Sequence, residues 1–393
     1  MVPLHIDIQW FNQAEEIPQE LWELCFQPPL EGLWWYDALD RCGIDDQFTF
    51  AYAVIARDGV RIGIVPTFLM DVPLDIVAPA GIVRIAEILS KFTKRFQYQR
   101  TLFVGSPCSD EGTVGLVPDE DITDILPALQ RELDVRARHL KASMVVWKDL
   151  PYESVEKIGS ILNSFGLFSL VSYPGTLIKL QGGEFDDYMR TLSSSQRNKL
   201  KKKLRLSNKR GTLNESVIQY PDEELLREIF ILFLKTYEHG NTKFERLTLK
   251  FFELIAAQPV SHFILLRDTE NGKLVAFMLC FVTGKRLINK FIGIDYSYKG
   301  DWFLYFRLWA AAVAWALSIG AEELQSGQTG YQAKYDLGHK FVPLYNYCRH
   351  LSPVVHIIFK KIASHISWST LDDDLANLEP VLKKGPEAQY ASS

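Results

Sequence analysis

Residues 323–349 read ELQSGQTGYQAKYDLGHKFVPLYNYCR. A strand-like run ends at Gln325, glycines follow at Gly327, Gly330 and Gly338, and a second strand-like run begins near Phe341. One lysine, Lys334, sits between the glycines in a short helical segment. Glycines are spaced like this where backbone turns tightly or comes close to another group. A lysine framed by such turns can aim a cation into a cleft while its stem lies on apolar surface. The plainer alternative is a helix-to-strand connection with a solvated lysine.

Upstream, Phe48 to Leu69 reads FTFAYAVIARDGVRIGIVPTFL, two apolar runs around Arg57-Asp58-Gly59. Asp-Gly suits the positive-φ positions of a hairpin turn. Phe263 to Val282, FILLRDTENGKLVAFMLCFV, repeats the pattern around a longer turn. One such hairpin in each half suggests an internal duplication.

The Lys334 segment resembles the C-terminal signature of Fem-type peptidyltransferases and their acyltransferase cousins, a branch of the GNAT superfamily. Gly330, Tyr331, Ala333, Lys334, Leu337 and Gly338 fit that signature in sense, though not in spacing throughout. The resemblance implies an α/β (α+β) chain of two tandem GNAT-like domains, each a mixed, largely antiparallel sheet flanked by helices. We expect them at residues 1–165 and 166–367, the second catalytic, with 368–393 as a peripheral tail.

Bulk properties agree with a globular protein. A length of 393 residues, 47% hydrophobic and 23% charged, suits two domains with full cores. The net charge of -5 argues against a dedicated nucleic-acid binder, while allowing a local basic groove. Five scattered cysteines without a CxxC pair fit reduced thiols in the cytoplasm, and neither they nor the histidines have metal-ligand spacing. The N-terminus lacks signal-peptide character, and the apolar stretch Trp302–Ala321, interrupted by Arg307, reads as a buried helix rather than a membrane span.

The remaining elements follow from periodicity. We expect helices at 18–26, 31–42, 82–97, 120–140, 152–165, from Phe185 to Leu206, at 223–238 behind Pro221-Asp222, at 247–257, and at 302–319 capped by Gly300-Asp301. Strands are expected at 4–10, 101–105, 112–117, 142–147, in 167–180 broken at Pro174-Gly175, and at 212–220, 286–294 and 340–347.

Three groups of residues carry the chemistry. The first is the run from Arg197 to Arg205, which holds six cations. On a helix, Arg197, Lys201 and Arg205 form a stripe beside a buried one, with Lys202 adjoining. That ridge suits a polyanion such as a CoA or phosphopantetheine phosphate, an acyl-carrier protein or a tRNA arm; the alternative is plain complementation of the helix dipole.

The second group is Asp295 to Asp301, with Tyr298 and Lys299, where GNAT enzymes that use acetyl-CoA carry a glycine-rich pyrophosphate loop. One glycine remains and Asp301 would repel an anion, so acetyl-CoA in its usual pose is disfavoured.

The third group concerns amine acylation, which needs a base and a stabiliser for the oxyanion. The resemblance implies Lys334 as the stabiliser, with Tyr331 and Gln328 orienting the donor. Candidate bases are Asp295, Glu238 and His239, the last equally a helix C-cap. Cys348 lies in an apolar strand, as inert buried thiols do.

The expected function is therefore N-acyl transfer from a CoA or acyl-carrier-protein thioester to an amine of a small molecule, amino acid or peptide, with no tightly bound cofactor. The alternative is an aminoacyl-tRNA-dependent Fem-type peptidyltransferase acting on a peptidoglycan precursor or small peptide. Fem ligases of the staphylococcal cell-wall type carry a coiled-coil arm that this chain lacks, which tilts the expectation toward thioesters. A third reading is a GNAT-like binding module without catalysis.

Overall fold

The computed structural model describes residues 5–73, 98–240 and 245–382. The helix expected at 82–97 and the end of the tail lie outside them. The chain divides into two compact units. One comprises residues 1–27, 45–174 and 343–393, and the other residues 28–44 and 175–342. A single cut between 165 and 166 does not describe this division, because each unit takes chain from more than one place.

The first unit is built on β1 (Ile6–Phe11), β2 (Thr49–Arg57), β3 (Val60–Pro73), β4 (Tyr98–Val104), β5 (Gly115–Leu116), β6 (Met144–Pro151), β7 (Phe168–Val171) and, from the end of the chain, β15 (Leu344–His350). Their order is β1-β2-β3-β4-β6-β15-β7, with β5 against β3. The β2–β3 hairpin turns on Asp58 and Gly59 at φ 49° and 83°, the left-handed pair that Asp-Gly favours. Helix Ile122–His139 starts on the Asp121 carboxylate, which accepts from the Thr123 amide at 2.8 Å. Its Ile125, Leu129, Leu133 and Ala137 recur one turn apart and are wholly buried on β4 and β6 with Val104, Val145 and Trp147.

The second unit holds β8 (Gly175–Lys179), β9 (Leu213–Ile218), β10 (Ser261–Asp268), β11 (Leu274–Thr283), β12 (Arg286–Ile294), β13 (Glu323–Ser326) and β14 (Lys340–Val342). Read from β9, the order is β9-β10-β11-β12-β13-β8-β14. Place for place this matches the first unit. In both, antiparallel strands lead to one parallel pair, β4/β6 or β12/β13, and then to two further antiparallel partners. A helix connects each parallel pair; here it is Leu304–Ser318, apolar on nearly every side and packed into the core through Leu308, Trp309, Ala312, Val313 and Ala316. Its one charge, Arg307, is only 11% exposed as a side chain and pairs with Glu215 at 2.7 Å.

Four expectations need correction. The segment from Phe185 to Leu206 is two helices, Phe185–Thr191 and Ser194–Arg210. Leu192 is extended (ψ 146°) and Ser193 caps the second helix in a reciprocal bond with Gln196, which outweighs the continuous apolar spacing. The apolar helix begins at Leu304 behind Phe303, while Gly300–Trp302 forms a separate short turn, so Asp301 is not its cap. Residues 340–347 are not one strand: Pro343 lies between β14 and β15, which belong to different sheets. The run 142–147 becomes β6, Met144–Pro151, leaving Ala142 ahead of the strand.

Candidate functional site

The second unit places Lys334 at a fork. Strands β12 and β13 pair only from Arg286/Glu323 to Asn289/Ser326. Beyond that step β12 runs on to Ile294, while the chain leaves β13 through Gly327 and Gln328. Thr329 and Gly330, at φ 73° and 65°, turn it into helix Tyr331–Asp336. Lys334 folds back over this turn, 5% exposed, donating to the carbonyl of Gly327 and, at 3.4 Å, to that of Gln328.

Packing locks the turn. Tyr331 is fully buried edge-on to Phe341, 5.4 Å between rings. Gly338 closes the helix at φ 79°, a backbone conformation that L side chains rarely adopt, and a β-carbon there would stand 2.4 Å from Leu192 Cδ2, so that side chain would have to shift. His339 donates twice to the Lys334 carbonyl, from its amide at 3.0 Å and from Nδ1 at 3.0 Å. Burial, with the Lys334 charge adding, holds the His339 pKa down to about 3. The ring is neutral, its Nε2 buried without a partner.

Sequence reasoning missed two residues of the fork. Asn289 donates to Ser326 Oγ at 3.3 Å across the last paired step, and its Oδ1 is buried with no partner. Lys290 is the extra residue where the β11–β12 register shifts. Its ammonium is buried against Glu31 at 2.7 Å and over the Trp35 ring at 4.6 Å, which pins the 28–44 segment to this sheet. The signal was present: two adjacent polar residues interrupt the run from Leu287 to Ile292.

Asp295, Tyr298 and Lys299 belong to a second cluster at the end of β12. The Asp295 carboxylate accepts from Lys273 at 2.6 Å, Lys235 at 3.2 Å, and both the amide and hydroxyl of Ser297. Burial would raise its pKa, but these bonds outweigh that and hold it well below the usual carboxylate range. A carboxylate so engaged is a weak base. Tyr298 donates to Asp268 at 2.7 Å, and its hydroxyl is pushed up by burial, reinforced by that carboxylate. The backbone amides of Ser297, Tyr298 and Lys299 all go to internal acceptors, and Asp301 pairs with Arg210 at 3.3 Å. Lys299 is exposed. Nearby, Glu238 and His239 are exposed at the end of helix Glu223–His239, with His239 stacked on Tyr296 at 3.9 Å.

Helix Ser194–Arg210 divides its cations. Lys199 and Lys203 turn toward the Lys334 helix and share Asp336 at 3.0 and 3.3 Å. Arg197 donates to the Met189 carbonyl at 3.3 Å. Lys201, Lys202 and Arg205 point into solvent. The inward cations tether the helix to the turn, and the outward ones form a solvated basic ridge. Among the described residues, no cluster of ligand-type side chains could hold a metal ion, and no helix is long and apolar enough to cross a membrane.

Comparison with known proteins agrees with this architecture. The crystal structure of FemX superposes with a TM-score of 0.60 at 12% identity, covering 90% of this chain and 100% of that one. A tandem GNAT protein from the clavulanic acid biosynthesis pathway does so with a TM-score of 0.52 at 10% identity, covering 89% and 99%. At such identities the likeness is one of fold. No curated protein matches the sequence. The family model of FemAB-like proteins, described as peptidoglycan biosynthesis/recognition, matches residues 164–368, more than half of the chain. The chain therefore belongs to the FemAB-like family and has the Fem-type, tandem GNAT-like fold.

Proposed function

We propose that this protein transfers an aminoacyl group from aminoacyl-tRNA to an amine of a peptidoglycan-precursor peptide. The observation that carries the reading is the family match over residues 164–368, which contain the fork, the Lys334 turn and the basic helix. In the reaction the amine attacks the ester carbonyl, the oxyanion collapses, and the ribose hydroxyl leaves with a proton that the amine gives up. The Lys334 ammonium, already directed at carbonyl oxygens, suits the developing oxyanion or the leaving oxygen. Its burial in the fork strengthens that interaction. Gln328 would orient the donor, with Tyr331 bracing the turn. Of the candidate bases, the exposed His239 is preferred to Asp295, whose carboxylate accepts from Lys273 and Ser297.

Two features support tRNA over a CoA thioester as donor. The amides of Ser297, Tyr298 and Lys299, which would have to grip a pyrophosphate, are committed to internal bonds. Lys201, Lys202 and Arg205 instead offer an extended ridge of the kind that tracks a nucleic-acid backbone, with Arg197 half-buried one turn before it. The test is transfer of a labelled amino acid from charged tRNA to a stem peptide, with Lys334→Met as control. Transfer that needs Lys334 supports the reading; acylation from acyl-CoA alone would replace it with the thioester reading.

A further inference from the structure

Helix Pro353–Ala363, PVVHIIFKKIA, belongs to the first unit, whereas Lys334 and the basic helix belong to the second. One face holds it to the sheet. Ala363 is buried with Phe168 and Cys348, Phe359 packs on the same cluster, and His356 lies against Phe168 at 5.2 Å. The other face carries Val354, Ile357 and Ile358, exposed by 69%, 67% and 42%. Among the described residues ten large apolar side chains are this exposed, and three of them fall within five positions here. Elsewhere such residues are scattered singly, which needs no explanation; a contiguous group does.

The charges on this helix have one sign. Lys360 and Lys361 are exposed on the helix, and Lys361 projects on the same side as Val354 and Ile358 at helical spacing. No aspartate or glutamate occurs between Asp336 and Asp372, although the whole chain carries a net charge of -5. An apolar stripe flanked by lysines, on a helix fixed along its opposite face, is the form of an in-plane amphipathic helix, with lysine stems covering apolar surface and ammonium groups reaching headgroups. A second copy of the chain would bring Lys360 and Lys361 against their own like charges; an anionic surface neutralises them.

We propose that helix Pro353–Ala363 docks the protein on anionic lipid bilayers, inserting Val354, Ile357 and Ile358 at the headgroup boundary while Lys360 and Lys361 bind lipid charge. Vesicle binding is read without turnover, so this assignment stands or falls separately from the transferase reading.

The experiment is sedimentation of the full chain with vesicles of phosphatidylglycerol and phosphatidylcholine, against phosphatidylcholine alone, at low and high salt. Binding is expected only to the anionic vesicles and is expected to weaken with salt. Lys360→Gln and Lys361→Gln should each weaken it about fivefold, and Val354→Asn with Ile357→Asn by tenfold or more. All variants should keep their melting temperature and their transfer rate with soluble substrates.

Absence of binding to anionic vesicles at low salt overturns the proposal. Concentration-dependent dimerisation abolished by the asparagine variant would reassign the face to a second copy. A large fall in melting temperature in that variant would mean that another part of this chain covers the face, and would also overturn it.

Discussion

Lys334→Met separates a catalytic role for the fork lysine from a structural one. Methionine keeps most of the apolar stem and removes the ammonium, so the donation to the Gly327 and Gln328 carbonyls is lost. A hydrogen bond to a charged group contributes about 1.5–3 kcal/mol, offset here by no longer holding a cation at 5% exposure. The Gly327 carbonyl still receives the Thr176 hydroxyl at 3.4 Å. The net cost to the fold should be about 1–2 kcal/mol, a fall in melting temperature of about 2–8 °C for a unit of this size. If the ammonium also meets the oxyanion, its loss should slow transfer about 10²- to 10³-fold. The assay is single-turnover transfer at saturating donor, run beside a thermal melt of the same preparation. A rate within about threefold of wild type, accompanied by the expected melting shift, refutes a catalytic role for Lys334.

Other outcomes follow from the same geometry. His339 is neutral in the fold down to about 3, whereas its unfolded value is 6.5, so the unfolded chain binds the extra proton. Its contribution is present above pH 6.5 and fades below it, with a slope approaching about 1.4 kcal/mol per pH unit. His339→Gln should remove that slope from a denaturation series between pH 7 and 5; an unchanged slope would contradict the assignment. Asp295 has a depressed pKa, so its stabilisation holds above the ordinary carboxylate range and is lost as pH falls below it. Asp295→Asn should cost about 1–3 kcal/mol while leaving the pH profile of transfer in place; a shifted profile with normal stability would restore Asp295 as a base. Gly338→Ala, with φ 79° and a 2.4 Å clash, should cost about 1–3 kcal/mol, measured by urea denaturation. A neutral result there would contradict both the left-handed strain at this position and the contact with Leu192. Replacing Lys201, Lys202 and Arg205 with glutamine should weaken tRNA binding and flatten its salt dependence; unchanged binding at low salt would remove the ridge from the donor site.

Local chemistry was legible in the sequence wherever a few adjacent residues decide the outcome. Asp58-Gly59 gives its hairpin turn, and Asp222 caps its helix by accepting from Leu225 at 2.9 Å. The duplication was visible in the two hairpins and reappears as matching strand orders. Features set by distant partners were not legible. Nothing near Leu344–His350 says that this strand pairs with β6 and β7, far back in the chain, nor that helix Leu33–Arg41 joins the second unit. Pro28, Pro174 and Pro343 mark three of the four passages between units, but a proline reads as a break and not as a change of sheet. The site divides likewise. Lys334 was marked by its glycines, whereas Asn289 matters because Ser326 stands across from it, and Lys290 because Glu31 does. Asp295 looked like a base until the ammonium groups of Lys235 and Lys273 were seen on its carboxylate.

The most direct test of the central claim is a donor competition. Purified protein is given a stem peptide with an available amine, a pool of aminoacyl-tRNAs and a set of acyl-CoA thioesters, and the peptide is weighed by mass spectrometry. The account predicts a peptide heavier by one aminoacyl residue, formed only when charged tRNA is present and abolished by ribonuclease. A peptide carrying a fatty or acetyl group, formed equally well after ribonuclease treatment, would contradict it.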